Sequence, residues 1–193
     1  MISIIDYGAG NIYSVKNALD HLGYANAVID RPEEIEEAER IIFPGVGSFG
    51  SAMKTLQDRG LIGPIKDFIS GGKPFFGICL GLQLLFSESE ESPGVSGLSL
   101  LRGRVVRFKK GKVPQIGWNR VIPKDPGLLE EGHAYFVNSY HVVPEDESII
   151  ATETDYHVTF CSAVRKGNIL AVQFHPEKSG PYGLELLRRW SSC

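Results

Sequence analysis

A chain of 193 residues, with 42% hydrophobic and 22% charged residues, has the length and composition of one folded domain with a sizeable core. Its net charge of −3 gives no general attraction for nucleic acid or an anionic membrane, and no apolar run is long enough to cross a bilayer. The three cysteines, Cys79, Cys161 and Cys193, form neither an even disulfide framework nor a metal-ligand spacing. We therefore expect reduced thiols, a cytoplasmic location and no metal.

The first half of the chain alternates buried strands with amphipathic helices. Strands are predicted at residues 2–5, 27–29, 41–43 and 75–79. Between them, helices are predicted from residue 12 to a stop at Gly23, and over residues 32–38, 49–56 and 62–69. This alternation predicts a parallel sheet covered by helices, with ligands at the carboxyl ends of its strands.

The second half has short strands bounded by turns, predicted at residues 101–108, 134–137, 149–152, 158–164 and 169–174. This spacing indicates antiparallel additions to the sheet. A closing helix is predicted at residues 183–190, with leucines and a tryptophan on one face. With no linker or repeat in the sequence, we expect a single α/β domain over residues 1–193 with a mixed sheet and helices on both faces.

Cys79 stands where the central strand is predicted to turn into a helix that carries Leu82, Leu85 and Phe86 at helical spacing. Gly77 and Gly81 flank the cysteine and permit a strained turn with close backbone approach. This pattern is typical of a nucleophile elbow, and a helix N-terminus beside the thiol favours the reactive thiolate. The alternative interpretation is a small buried hydrophobic residue, the usual role of a free cysteine in an apolar segment.

A second stretch supplies partners for a nucleophile. The predicted strand at residues 169–174 is followed directly by His175, with Glu177 two positions on. A nucleophilic cysteine needs a base within hydrogen-bond reach, and the base needs an orienting group. A lone histidine is more often structural, but a His-Pro-Glu at a strand end together with a cysteine framed by glycines favours catalysis.

The loop Pro44-Gly45-Val46-Gly47 follows the third predicted strand. A phosphate-binding loop would need a following Lys-Ser/Thr pair or differently spaced glycines, and neither is present. The glycines instead permit a peptide N–H group of Val46 or Gly47 to point at a developing oxyanion. The N–H group of Leu80, directly after the nucleophile, is the second predicted donor.

The segments Gly77-Ile78-Cys79-Leu80-Gly81 with Gln83, and Gln173-Phe174-His175-Pro176-Glu177, resemble the two signatures of class-I glutamine amidotransferases. The resemblance implies a flavodoxin-like fold and hydrolysis of L-glutamine through a cysteine thioester, without a cofactor. It also implies that Gly45, Gln83, Glu91, Asn138, Ser139 and Tyr140 bind glutamine. For Glu91 the simpler alternative is a solvated place in the charge run 88–91.

Within that family, the segments at residues 6–11, 114–119 and 135–140 look most like the glutaminase subunits of imidazole glycerol phosphate synthases. The resemblance implies a heterodimer with a cyclase subunit that uses the ammonia, and an interface containing Asn11, Gln115, Trp118, Asn119 and Lys178. In the alternative interpretation, Ile116 and Trp118 pack on the core while Gln115 and Asn119 face water.

Three other functions stay open at this point. The chain could be the glutaminase of another synthase, such as pyridoxal phosphate synthase, although that enzyme is expected to lack the Gly117-Trp118-Asn119 segment. It could be a scaffold without catalysis, which the intact set of Cys79, His175 and Glu177 disfavours. It could also be a thiol hydrolase that needs no synthase.

Overall fold

The structure is a computed structural model that describes residues 1–8, 10–124, 127 and 129–192. Ala9, within the 6–11 segment, and Cys193 lie outside these residues. The described chain contains twelve strands, which share one sheet: β1 Ile2–Ile5, β2 Asn26–Ile29, β3 Arg40–Gly45, β4 Phe75–Cys79, β5 Glu88–Ser89, β6 Gly103–Arg107, β7 Gln115–Pro123, β8 Gly132–Asn138, β9 Tyr140–Pro144, β10 Ile150–Asp155, β11 Thr159–Lys166 and β12 Ile169–Val172.

Over the described ranges, six α-helices accompany the strands: α1 Ile12–His21, α2 Pro32–Glu37, α3 Phe49–Asp58, α4 Ile62–Ser70, α5 Leu80–Gln83 and α6 Gly180–Ser192. Two 3₁₀ turns lie at Glu147–Ile149 and Pro176–Lys178. Two apolar clusters are formed by the buried side chains of the described residues. None of the described helices is long and apolar enough to cross a membrane.

The sheet is mixed, as predicted, and its main strand order is β2-β1-β3-β4-β12-β11-β10-β7-β8. Strands β2, β1, β3, β4 and β12 are mutually parallel, and β12 to β8 continue antiparallel. The expectation that β12 is an antiparallel addition is wrong in part, because β12 pairs parallel with β4 and antiparallel with β11. Burial of all four β12 residues and all five β4 residues suits the centre of a sheet that is covered on both faces.

The helix after the nucleophile is shorter than predicted. It ends at Gln83, and the chain then turns so that Leu85 and Phe86 are buried outside a regular helix. The apolar spacing of these residues therefore reflects burial in a compact turn and not a long amphipathic helix. A one-turn helix sums few peptide dipoles, so its contribution to thiolate stability is smaller than the sequence indicated.

Strand β7 turns the apolar side chains of Ile116 and Trp118 toward solvent and not toward the core. Ile116 is 58% exposed and Trp118 is 55% exposed, whereas Gln115 is buried. Alternation along a strand places Ile116 and Trp118 on the same side. The alternative in which these two apolar side chains pack on the core is therefore wrong.

Candidate active site

Cys79 ends β4 in a strained conformation, with φ +55° and ψ −107°, immediately before α5. A non-glycine residue rarely adopts a positive φ, and such strain is typical of functional sites. At this turn the backbone of Gly81 also lies against the backbone of β3. A Cβ on Gly81 would be only 2.0 Å from the carbonyl oxygen of Phe43. The sharp strand-to-helix turn predicted around Cys79 is thus present.

His175 and Glu177 lie just beyond β12 and form a buried pair. The His175 Nδ1 and Glu177 Oε1 atoms are 2.8 Å apart, and both side chains are almost fully shielded from solvent. The main chain holds the histidine in place, because its N–H group donates to the Tyr135 carbonyl oxygen at 2.9 Å. Among the described residues, Nε2 of His175 has no hydrogen-bond partner, which leaves that atom for substrate chemistry.

The pKa of the His175 imidazole is raised above its ordinary value. Burial acts to lower the pKa, but the charge of Cys79 and the Glu177 carboxylate together outweigh burial and favour the imidazolium. The arrangement can therefore hold a thiolate and an imidazolium together, with Glu177 orienting the ring.

A cavity of about 310 Å³ gathers the predicted catalytic and substrate-binding positions. Of the predicted residues, it is lined by Val46, Gly47, Cys79, Leu80, Gln83, Glu91, Asn138, Ser139, Tyr140 and His175. Gly45 and Glu177 are not among the lining residues. Gly45 pairs with Cys79 across the two strands, and Glu177 is hydrogen-bonded to His175, which lines the cavity.

Of residues 44–47, predicted as an oxyanion loop, Pro44 and Gly45 are instead the last residues of β3, and Val46 and Gly47 border this cavity beside Leu80. Gly47 has φ +101°, a conformation suited to glycine, and Val46 is 40% exposed. A buried phenol stands behind the loop, because a Cβ on Gly45 would lie 2.5 Å from the Tyr7 hydroxyl. Burial, and then the charges of Cys79 and Asp6, raise the pKa of Tyr7, so this hydroxyl stays protonated.

Glu91 is held in place at the cavity wall and is not simply a solvated member of its charge run. Its Oε2 accepts a hydrogen bond from the N–H group of Phe49 at 2.7 Å. Phe49 is the first residue of α3, where an unpaired N–H group favours a carboxylate. The neighbouring Ser92 hydroxyl accepts from Gly50 N–H at 3.0 Å. Glu91 and Ser92 therefore anchor the start of the helix that follows the oxyanion loop.

Gln83 is engaged within the protein. Its Nε2 donates to the Gln173 side-chain oxygen at 3.0 Å and to the Tyr140 carbonyl oxygen at 3.2 Å. The Asn138 amide also donates to that carbonyl oxygen, at 2.9 Å. Any contact between Gln83 and a substrate donor group therefore uses the side-chain oxygen of Gln83.

Three of the five predicted interface residues surround the 3₁₀ turn Pro176–Lys178. Asn11 donates from Nδ2 to Glu177 Oε1 at 3.3 Å, and Lys178 is exposed. The Trp118 ring packs edge-on to Tyr135 and lies 3.8 Å from the position of a Cβ on Gly180. Sequence reasoning placed Asn11 on this face but missed its contact with the carboxylate beside His175.

The two other predicted interface residues lie differently. Asn119 is half-buried on β7. Gln115 is only 1% exposed, so the structure places it inside the chain and not on the surface expected to meet a partner. Neither of its amide atoms has a hydrogen-bond partner among the described residues. Its inward position follows from strand alternation, which turns Gln115 away from the face shared by Ile116 and Trp118.

Comparison with known proteins agrees with this geometry. The family model "Glutamine amidotransferase class-I" matches residues 3–191. The "Imidazole glycerol phosphate synthase subunit HisH" of Moorella thermoacetica is 49% identical, covering 98% of this chain and 93% of the relative. The HisH subunit of Rhodopirellula baltica is 48% identical, covering 100% of this chain and 98% of the relative. The chain belongs to the HisH family of class-I glutamine amidotransferases.

Solved structures support the same amidotransferase fold. A "glutamine amidotransferase" crystal structure superposes with a TM-score of 0.81, at 22% identity, over 99% of this chain and 97% of that chain. The structure of "PurLQS from Thermotoga maritima" gives the same TM-score at 18% identity, with the same coverage of both chains. At these identities the likeness concerns the fold, and it places the mixed sheet of this HisH family member among those of other amidotransferases.

Proposed function

We propose that this chain is the glutaminase subunit of an imidazole glycerol phosphate synthase. It hydrolyses L-glutamine to glutamate and ammonia, and passes the ammonia to a cyclase subunit that forms imidazole glycerol phosphate and AICAR in histidine biosynthesis. The observation that carries the proposal is the buried His175–Glu177 pair at one cavity with Cys79, in a chain of the HisH family.

The chemistry follows from the positions of these side chains. The Cys79 thiolate attacks the side-chain amide carbon of glutamine, and a carbon–sulfur bond forms while the carbonyl oxygen becomes an oxyanion. The His175 imidazolium donates its proton to the amide nitrogen, the carbon–nitrogen bond breaks, and ammonia leaves a glutamyl thioester. His175 then accepts a proton from a water molecule while the oxygen of that water attacks the thioester carbon. The carbon–sulfur bond breaks, which releases glutamate and restores the thiolate.

The cavity wall offers groups for both ends of the substrate. We assign the glutamine ammonium group to Glu91, whose carboxylate is already fixed by the Phe49 N–H group. The carboxylate end is assigned to Ser139 and Tyr140 through main-chain N–H or hydroxyl groups. The oxyanion is assigned to N–H groups of Leu80 and of the Val46–Gly47 region, which border the same cavity.

The cyclase is assigned to the surface around the 3₁₀ turn, formed by Asn11, Trp118 and Lys178. Half-exposed tryptophan with neighbouring amide and lysine groups is a composition that suits a protein interface. Glu177 lies directly beneath this surface, bonded to Asn11. Residues 1–193 are assigned to one amidotransferase domain, which works in the cytoplasm without a nucleic-acid or membrane partner.

A growth experiment tests the pathway. The gene should restore growth of a strain that lacks its own glutaminase subunit and requires histidine, and the Cys79→Ala variant should not. Restoration of a strain that requires vitamin B6, without restoration of the histidine strain, would favour the pyridoxal phosphate synthase alternative. Failure of both, together with glutaminase activity of the isolated chain, would favour a thiol hydrolase that needs no synthase.

The partner is further proposed to switch the site on through Pro44-Gly45-Val46-Gly47. The glycines permit two orientations of a peptide N–H group, and loss of one oxyanion donor costs roughly a hundred- to a thousandfold in rate. The isolated chain should therefore hydrolyse glutamine at least about a hundredfold more slowly than the complex with cyclase and its nucleotide ligand. Equal rates for the chain alone, with cyclase, and with cyclase plus nucleotide would refute this switch.

A further inference from the structure

Gln173 contacts the nucleophile. It follows β12 directly, its side chain is fully buried, and its Nε2 lies 3.6 Å from the Cys79 sulfur. The parallel register of β12 and β4 explains this contact. Val172 pairs with Ile78, so the residues that come next, Gln173 and Cys79, lie side by side. Gln173 belongs to the signature that contains His175, but sequence reasoning gave it no role.

The orientation of the Gln173 amide is determined by its neighbours. Gln83 must present its nitrogen to the Tyr140 carbonyl oxygen, since a carbonyl oxygen can only accept. The same nitrogen then donates to the oxygen of Gln173 at 3.0 Å. Gln173 consequently presents its NH₂ group, and not its oxygen, to the sulfur. The amide is also anchored through its own main chain, whose N–H group donates to the Ser162 carbonyl oxygen at 2.8 Å.

We propose that Gln173 is a catalytic residue that donates a hydrogen bond to the Cys79 thiolate. The inference rests on the proposed function, in which Cys79 is the nucleophile. A buried thiolate needs hydrogen-bond donors to replace lost water, and a neutral amide supplies one without a proton that competes with the one on His175. The same bond stabilises the sulfur as a leaving group when the glutamyl thioester is hydrolysed.

Other charged and titratable groups near the sulfur come from several elements. His175 and Glu177 follow β12, Glu91 borders the cavity after β5, and Tyr7 with Asp6 follows β1. The hydrogen bonds of the Gln173 side chain in the described residues run to Gln83 and Cys79 and to none of these groups, so its replacement by leucine removes none of their bonds. A change in the pH dependence of Cys79 reactivity can therefore be assigned to the amide donor.

The test measures alkylation of Cys79 by iodoacetamide from pH 4 to 10 in the full chain. The background is Cys161→Ala with Cys193→Ala, so that one thiol is followed. Gln173→Leu removes the donor at similar volume, and Gln173→Glu keeps an acceptor for Gln83 while placing a carboxylate beside the sulfur. Thr154→Val is the matched control, because Thr154 is a fully buried polar residue that does not line the cavity.

Loss of a hydrogen bond to a charged group should move the midpoint of the alkylation profile upward by about one to two pH units. Below both midpoints the rate should fall about 3- to 16-fold, since a less stabilised thiolate is scarcer but intrinsically more nucleophilic. Gln173→Glu should show the larger shift, and Thr154→Val should match the background. An unchanged midpoint in folded Gln173→Leu would overturn the proposal whatever the shift in Gln173→Glu, because the side chain would then only fill space and the added carboxylate disfavours the thiolate by its own charge.

Two results separate this inference from the proposed function. If the parent chain shows no glutaminase activity with the cyclase, the proposed function fails, whatever the alkylation profile. If the parent is active but the profiles coincide, only the role of Gln173 fails. Should both variants misfold, the side-chain NH₂ resonance of Gln173 in the ¹⁵N-labelled parent decides. It should shift through the Cys79 alkylation midpoint and stay constant in Cys79→Ala, and a constant signal in both would overturn the proposal.

Discussion

Gly81→Ala should destabilise the protein and disable its active site. A Cβ at this position would lie 2.0 Å from the carbonyl oxygen of Phe43 and 3.1 Å from its carbonyl carbon. Real Cβ atoms essentially never approach within 3.0 Å, so α5 and β3 must separate by roughly 1 Å. The obstacle is backbone and not the end of a flexible side chain, so a change of rotamer cannot relieve it.

Overpacking of this kind costs typically about 1–3 kcal/mol, and a backbone obstacle belongs at the upper end of that range. For a chain of this length each 1 kcal/mol lowers the melting temperature by about 2–4 °C, so a drop of about 6–12 °C is expected. Glutaminase activity of the complex should also fall at temperatures where the variant is still folded, because α5 begins at Leu80, directly after the nucleophile. A misplacement of about 1 Å at reacting atoms can cost about a hundredfold.

Gly63→Ala is the matched control. Gly63 lies in α4, and a Cβ there would meet no atom within 4 Å. Alanine should therefore stabilise the helix by up to about 1 kcal/mol and leave activity unchanged. Melting is followed by circular dichroism and turnover by glutamate release in the presence of the cyclase. A Gly81→Ala variant with the melting temperature and turnover of the parent would refute the argument from close backbone approach.

Four further outcomes are expected. Cys79→Ala should lower glutamine-dependent synthesis by on the order of a millionfold while synthesis from ammonium salts continues, and glutaminase within tenfold of the parent would contradict the assignment. A glutamine-like diazo-ketone should label Cys79 alone by peptide mass mapping, and His175→Asn should lower labelling far more than Glu177→Gln; labelling of Cys161 instead would refute the site. Because the pKa of His175 is raised, its imidazolium stabilises the fold fully below about pH 6.5, and this contribution is lost as pH rises through the raised pKa. The melting temperature of the parent should therefore exceed that of His175→Asn most near pH 6, and a difference that grows with pH would contradict the raised pKa. Trp118→Ala should weaken cyclase binding in a titration by at least about tenfold while diazo-ketone labelling of Cys79 in the free chain is unchanged, and unaltered affinity would remove Trp118 from the interface.

The parallel half of the fold was predictable because β1 and β4 are short and fully buried, β3 is buried beyond Arg40, and helices with one apolar face separate the strands. Cys79 and His175 could be placed together since Cys79 ends one buried strand and His175 follows another, and parallel strands bring their carboxyl ends to the same side of the sheet. The position of β12 could not be read from spacing. Neighbours along the sheet are set by how the whole chain crosses over, and β12 follows β4 in the sheet but lies far from it in sequence.

The remaining differences have local causes. Periodicity at Leu82, Leu85 and Phe86 indicates burial on one side, which a compact turn satisfies as well as a helix. Alternation along β7 predicts two faces but not which one is covered, so the exposed position of Trp118 needed the structure. The Gln173 contact depends on the register of β12 against β4, and register is invisible in a single sequence.

The nucleophile Cys79 is the last residue of β4, and the base His175 lies three residues beyond β12, the strand that pairs with β4 in the middle of a buried sheet. The separation of these two strand ends changes only if the sheet itself opens, which costs free energy close to that of global unfolding. A binding partner that contributes a few kcal/mol cannot use the distance between the ends of β4 and β12 as its control variable. Control by the partner must therefore act on the loops that follow the carboxyl ends of the strands. Amide hydrogen exchange should detect a change in those loops. Protection of β4 and β12 should be the same with and without the cyclase, while exchange in residues 46–48 should slow on binding.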